Sequence, residues 1–354
     1  MILVDKRIQA LTRFGQTISL VLESYYSESD TEFNSVINRA RSENPWFTEE
    51  NILIALNNWA LVLEKDKIEK WAGNYLNLLK NKSKELNIAI VNAGNIPFVG
   101  LHDLLTVILT GNRYIGKNAT GDSILLPYLT SLLFDVDPSF KDKIQFVSRL
   151  ESMDAVIATG NNNSARYFEY YFSKYPHIIR KNRNGVGVLS GNETREQIHE
   201  LGKDIFTYFG LGCRNVSKLY VPKGYSFNAF FEAIEGFNGL LTHSKYMNNF
   251  DYNNSVFLLK RIPFLQNGFS IVRRENQIAS PVAVLHYEEY DNVQELSKNL
   301  TDSFSQLQCI STANNFIIGN EMLENIRVDF GKTQSPALWD YADGANTAEF
   351  LCNL

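Results

Sequence analysis

From residue 87 onward, short β-branched apolar runs alternate with stretches of helical periodicity, and that alternation leaves few folds open to the chain. Residues 87–93 (NIAIVNA) read as a strand stopping at Gly94, and 98–109 as a helix. Residues 113–117, 144–148 and 154–159 read as further strands, with helices over 123–134 and 164–175. Strands separated by helices of this length form parallel βαβ units, so the expected product is a doubly wound α/β sheet. Such a sheet binds ligands at the carboxyl ends of its strands.

A second α/β stretch follows. Residues 186–189 read as a strand and 193–209 as a helix with acids in its first turn; Gly210-Leu211-Gly212 breaks it, and 215–221 reads as a strand leaving the break. A strand over 282–287 and helices over 227–237 and 293–299 extend the region, and the asparagine-rich 247–254 reads as a surface loop. Upstream, Leu11, Ile18 and Leu22 recur at helical spacing, and Thr48-Glu49-Glu50 is a helix start. Trp59 and Trp71 there read as packing residues. The division expected is a helical segment 1–86 packed on a cofactor domain 87–185, a thiol domain 186–320, and a segment 321–354 returning to the body.

Composition narrows the function. A chain of 354 residues that is 44% hydrophobic can build two packed domains. A net charge of -5 leaves no basic excess for nucleic acid. Apolar runs near 52–63 and 104–109 fall short of the ~20 residues of a membrane span, and the N-terminus lacks the pattern of a secretory signal. Three scattered cysteines and five unpaired histidines offer neither a disulfide framework nor metal-ligand spacing. A cytoplasmic protein without a metal is the expectation.

Four constellations could carry chemistry. Cys213, in Phe209-Gly210-Leu211-Gly212-Cys213-Arg214-Asn215, sits where glycines let a bulky electrophile approach a thiol. On position alone it reads either as that nucleophile, with Arg214 favouring the thiolate, or as a small buried cysteine. Cys309, in an apolar run, reads as core. In Gly94-Asn95-Ile96-Pro97, Asn95 can donate its amide to an oxyanion or serve as an ordinary turn residue. Lys117, closing Gly111-Asn112-Arg113-Tyr114-Ile115-Gly116-Lys117, can reach a ribose or its phosphate or be a plain surface lysine. In Ala158-Thr159-Gly160-Asn161-Asn162-Asn163-Ser164 a strand runs into a helix start, a weak pyrophosphate signal. The basic Arg180-Lys181-Asn182-Arg183 reads as a solvated loop or a phosphate contact.

In order and spacing, GNIP, GNRYIGK, ATGNNNS, GLGC and ASPVAVLHYEEYDNVQEL resemble the aldehyde dehydrogenase superfamily, and within it the acyl-CoA reductase (LuxC-type) family, from about residue 87 to the C-terminus. The resemblance implies an aldehyde-dehydrogenase-like fold: a Rossmann-like cofactor domain, an α/β catalytic domain and here a helical N-terminal segment. It implies Cys213 as nucleophile, Asn95 as oxyanion donor, Lys117 at the adenosine ribose, and Thr159, Gly160, Asn161 and Ser164 beside the cofactor pyrophosphate. Two positions depart from the family. Asn182-Arg183-Asn184-Gly185-Val186-Gly187 has no acid where hydrolytic members carry the glutamate that activates water, and Gln277 stands where a glutamate grips the nicotinamide ribose. The activity implied is NADPH-dependent (NADH possible) reduction of long-chain acyl-CoA to fatty aldehyde. A CoA- or phosphate-acylating aldehyde dehydrogenase, and a non-catalytic acyl- or nucleotide-binding protein, stand as alternatives. A homo-oligomer is expected, and an acyl-transfer or synthetase partner is left open.

Overall fold

The computed structural model describes residues 2–27, 31–82 and 84–354. Contacts divide the chain into two compact units, Met1–Lys181 with Ala337–Leu354, and Asn182–Pro336. Residues 321–336 thus belong to the second unit, and only the last eighteen residues return to the first.

The first unit opens with helices α1 (Val4–Tyr26), α2 (Thr31–Glu43), α3 (Glu49–Val62), α4 (Lys65–Gly73) and α5 (Leu76–Asn81). α1 buries Leu11, Phe14, Ile18 and Leu22 along one stripe. Thr48 caps α3 by accepting the Asn51 N–H at 3.3 Å, as its sequence suggests. The alternation then follows: β1 (Asn87–Val91), α6 (Leu101–Leu109), β2 (Arg113–Lys117), α7 (Leu125–Val136), β3 (Ile144–Phe146), β4 (Ala155–Thr159), α8 (Asn162–Phe172) and β5 (His177–Arg180). The five strands pair in parallel in the order β3-β2-β1-β4-β5. Ile88, Ala89 and Ile90 of β1 are wholly buried, the unbroken apolar run expected of a parallel strand covered on both faces.

Residues 337–354 are locked on by polar contacts inside this unit. Trp71 Nε1 donates to Tyr341 Oη at 2.7 Å, and His102 Nε2 lies 2.9 Å from the Leu338 carbonyl. Arg180 forks onto both oxygens of Asp103 at 2.6 and 2.8 Å and donates to Thr347 Oγ1 at 2.8 Å. Arg180 is therefore a buried structural cation at the end of β5, neither a solvated loop residue nor a phosphate contact.

The second unit holds β6 (Asn184–Val188), α9 (Arg195–Phe206), β7 (Val216–Pro222), α10 (Asn228–Ala233), α11 (Ser244–Leu259), β8 (Leu265–Gln266), β9 (Ile271–Arg274), β10 (Val284–Tyr290), α12 (Val293–Asp302), β11 (Leu307–Thr312) and β12 (Arg327–Asp329). Its sheet runs β12-β11-β6-β7-β10-β9-β8, parallel except for β8 against β9. Cys309 is buried in β11.

One expectation fails here: 247–254 is helix, not loop. Tyr246, Phe250, Asn253 and Phe257 recur at helical spacing and are buried. The asparagines between them form the polar face, and Asn253 Nδ2 donates to Asn249 O at 2.8 Å and Val282 O at 3.2 Å. His243 caps the start by accepting the Tyr246 N–H.

Candidate active site

In the first unit the strand order reverses between β1 and β4, so successive crossovers depart in opposite directions and part at the carboxyl edge. Asn95 lies in the turn leaving β1, Lys117 ends β2, Thr159 ends β4, and Gly160, Asn161 and Ser164 follow it. Six of the eight positions singled out from sequence therefore share one sheet edge. Asn95 and Lys117 are exposed there.

The turn bearing Asn95 is built on close packing. A Cβ on Gly94 would stand 2.6 Å from Ala119 Cβ and 3.2 Å from Asp122 Cβ, so glycine alone lets the β1 and β2 loops touch. Asn44 Nδ2 donates to the Gly94 carbonyl at 3.4 Å. Beneath, Asn92 Nδ2 donates to Tyr114 Oη at 2.7 Å and Asn118 Oδ1 at 2.9 Å, tying the two strand ends together. Asp122 is buried, and its Oδ1 has no hydrogen-bond partner. Burial, and next the charge of Glu43, push its carboxyl up to about 7. Sequence reading missed Asn92 and Asp122, since neither stands in a motif.

At α8 the geometry qualifies the pyrophosphate expectation. Asn161 is the N-cap, and its Oδ1 accepts the Ser164 N–H at 2.8 Å, so that donor is already engaged. A Cβ on Gly160 would lie 2.9 Å from both Ser164 Cβ and Phe168 Cε2, which shows how tightly the helix start packs on the strand end.

In the second unit the thiol turn is more strained than its glycines suggest. α9 ends at Phe206, three residues before the expected stop, and Tyr208, Phe209 and Gly210 all have left-handed backbone, with φ of 55°, 59° and 75°. A left-handed residue bearing a side chain costs about 1–2 kcal/mol, so two consecutive aromatics there require compensation. Asn215 supplies it. Its Oδ1 accepts the Gly212 N–H at 2.8 Å, and its Nδ2 donates to the carbonyls of Asp204 at 2.9 Å and Thr207 at 2.8 Å. The side chain bridges the end of α9 to the residue before Cys213. Phe209 also stacks on His243, ring centroids 4.1 Å apart.

Asp204, within α9, braces the far side. It accepts from Ser311 Oγ at 2.6 Å, Gly331 N at 2.8 Å, and Thr333 N and Oγ1 at 3.0 and 2.8 Å. Burial pushes its carboxyl up, and these donors oppose the shift. Arg214 donates from Nε to the Thr333 carbonyl, which ties it to this brace. Cys213 itself is exposed, whereas Cys309 is buried and Cys352 half-buried. Asn215 and Asp204 escaped the sequence reading: an Asx residue two places after the thiol was the only hint, and Asp204 gave none.

Gln277 lies in the loop after β9 with an exposed side chain. Its carbonyl accepts from His286 Nδ1 at 2.9 Å, and the preceding Asn276 carbonyl accepts from buried Lys218 Nζ at 2.8 Å. Among the described residues no group of three or more His, Cys, Asp or Glu side chains could hold a metal ion, and no helix is long and apolar enough to cross a membrane.

No protein-family model and no curated protein matches the sequence. Solved structures do match in three dimensions. The aldehyde dehydrogenase KauB from Pseudomonas aeruginosa aligns with a TM-score of 0.63 and 13% identity over 92% of this chain and 75% of that one. An aldehyde dehydrogenase from Bacillus cereus in complex with NAD+ gives 0.62 and 12% over 92% and 74%. Aldehyde dehydrogenase 21 from Physcomitrella patens, complexed with the reaction product succinate, gives 0.63 and 12% over 99% and 88%. The chain therefore has the aldehyde-dehydrogenase fold, with a Rossmann-like sheet and a second α/β sheet.

Proposed function

We propose that this protein is an NADPH-dependent acyl-CoA reductase that carries the acyl group as a thioester on Cys213 and releases a fatty aldehyde. The observation that carries the reading is the exposure of Cys213 on a turn whose strain is held by Asn215 and Asp204, in a chain whose other two thiols are buried or half-buried. Strain maintained by dedicated hydrogen bonds is a mark of a functional residue.

In this reading the Cys213 thiolate attacks the thioester carbonyl, a C–S bond to the enzyme forms, and the CoA thiolate leaves. Asn95 and the Cys213 N–H stabilise the oxyanion. A bound reduced nicotinamide supplies the hydride. The carboxyl edge of the first sheet suits such a group: Lys117 is an exposed cation ending β2, and Asn118, Ala119 and Thr120 after it include no carboxylate to repel a 2′-phosphate. Residues 182–187 contain no acid either. Without a base there to activate water, the acyl-enzyme persists long enough to be reduced.

The test is selective alkylation. Iodoacetamide should label Cys213 much faster than Cys309 or Cys352, and octanoyl-CoA should protect it. Equal labelling of all three, or no protection by any acyl-CoA, would count against the assignment.

A further inference from the structure

Parallel sheets gather their ligands at the carboxyl ends of the strands, yet Cys213 precedes β7 and so lies at the amino edge of the second sheet. The acyl chemistry leaves the carboxyl edge of that sheet without a role. A cavity of about 440 Å³ stands there, between the chain leaving β6 and the chain leaving β7. Small-ligand pockets have this size. α9 and β7, of 12 and 7 residues, run from the cavity to the thiol turn, which puts the two roughly 20 Å apart.

Ile198, Pro222 and Ala229 supply apolar surface, and exposed Gly224 and Ser226 stand at the mouth. Glu193 brings a negative charge. Its Oε1 accepts from Ser190 N at 2.6 Å and Ser190 Oγ at 2.7 Å, and its Oε2 accepts from Gly191 N at 3.0 Å. These bonds fix the carboxylate and fill both acceptor positions of Oε1, leaving one on Oε2. Lys223 also lines the cavity, but its ammonium is engaged by Asp291 at 3.0 Å, with Glu289 and Glu295 acting on it as well. The charge of Glu193 is therefore not matched from within the lining. Tyr225 stands near it: burial, and next the charge of Glu193, push that phenol up to about 12. Phe227 braces the Tyr225 ring edge-on, centroids 5.1 Å apart.

A fixed carboxylate with one open acceptor position, an aromatic ring near it and apolar walls complement an ammonium on a compact apolar body. An ammonium is satisfied by a single acceptor and gains from a nearby ring. A guanidinium fork wants two acceptors in one plane, and an anion would be repelled. We propose that this cavity is a second ligand site, which takes a small primary amine with its nitrogen on Glu193 Oε2 and its body against Tyr225, Ile198 and Pro222. The proposal is independent of the acyl-thioester reading of Cys213.

The test uses the full chain at pH 7 and saturation-transfer NMR titrations with phenethylamine, 2-phenylethanol and phenethylguanidine. Phenethylamine should bind with a Kd of about 1 mM or below. The alcohol should bind at least about tenfold more weakly, with the guanidine between them. Glu193→Gln should weaken the amine about tenfold and bring it level with the alcohol. Because that change also disturbs the bond to Gly191, a second variant, Ala229→Trp, fills the cavity from an exposed position and leaves the Glu193 hydrogen bonds intact. It should abolish binding of all three probes. The proposal is overturned if phenethylamine does not bind, if either analogue binds as tightly, or if amine binding persists unchanged in Ala229→Trp.

Discussion

Replacing Asp122 by Asn should stabilise the protein at neutral and alkaline pH and do almost nothing at low pH. The Asp122 carboxyl ordinarily titrates at 3.8 and is pushed up to about 7 in the fold by burial and by Glu43. A folded value above the unfolded one means that the native state prefers the protonated acid. Stability is then full below 3.8, declines as pH rises between 3.8 and about 7, and stays low above that. A gap of about three pH units corresponds to about 4 kcal/mol at most, at ~1.4 kcal/mol each. Asn keeps the shape and removes the charge, so above pH 7.5 the variant should recover a sizeable part of that ceiling. All four tryptophans, Trp46, Trp59, Trp71 and Trp339, belong to the first unit, so their emission during urea denaturation follows the unit that contains Asp122. The assay compares parent and variant at pH 5, 6.5 and 8, with the stability gap widening at each step. A gap that is absent at pH 8, or equal at all three values, would refute the argument that an ionised carboxylate strains the base of the Asn95 turn.

Four more outcomes follow from the same geometry. Asn215→Ala removes the acceptor of the Gly212 N–H and the bridge to α9, so iodoacetamide labelling of Cys213 should slow about tenfold; Asn215→Asp, which keeps the acceptor, should recover part of it. Gly94→Ala places a methyl 2.6 Å from Ala119 Cβ and should cost about 1–3 kcal/mol in urea unfolding of the first unit. Asp103→Ala leaves Arg180 charged and buried without a carboxylate beside it and should cost about 3–5 kcal/mol by the same measurement. Lys117→Glu should raise the Kd for NADPH at least about tenfold while changing that for NADH far less, measured by nicotinamide fluorescence.

Sequence conveyed the sheets well because parallel strands covered on both faces are uninterrupted apolar runs. Residues 113–117 match β2 end to end, and the β1 and β4 starts lie within one residue of expectation. The carboxyl-edge location of Asn95, Lys117 and Gly160 follows from the same reasoning, since a residue just past a parallel strand has nowhere else to be. What stayed hidden depends on contacts distant in sequence. The helix α11 looked like a loop because four buried positions were diluted by asparagines, whose poor helix propensity is overridden by packing. The early end of α9 was invisible because the residue that enforces it, Asn215, lies nine positions after Phe206 and acts through its side chain. Asp204 answers to Ser311 and Thr333, more than a hundred residues away, and local patterning cannot register such a pairing.

The central claim is a covalent acyl group on one thiol, and peptide-mapping mass spectrometry addresses it directly. The protein is mixed with carbon-13-labelled palmitoyl-CoA, quenched in acid, digested and mapped, and a parallel sample receives NADPH before the quench. The account predicts one palmitoyl adduct, on the peptide containing Cys213, that disappears with NADPH as labelled hexadecanal forms. Modification at Cys309 or Cys352 instead, or an adduct on Cys213 that yields only palmitic acid when NADPH is added, would contradict it.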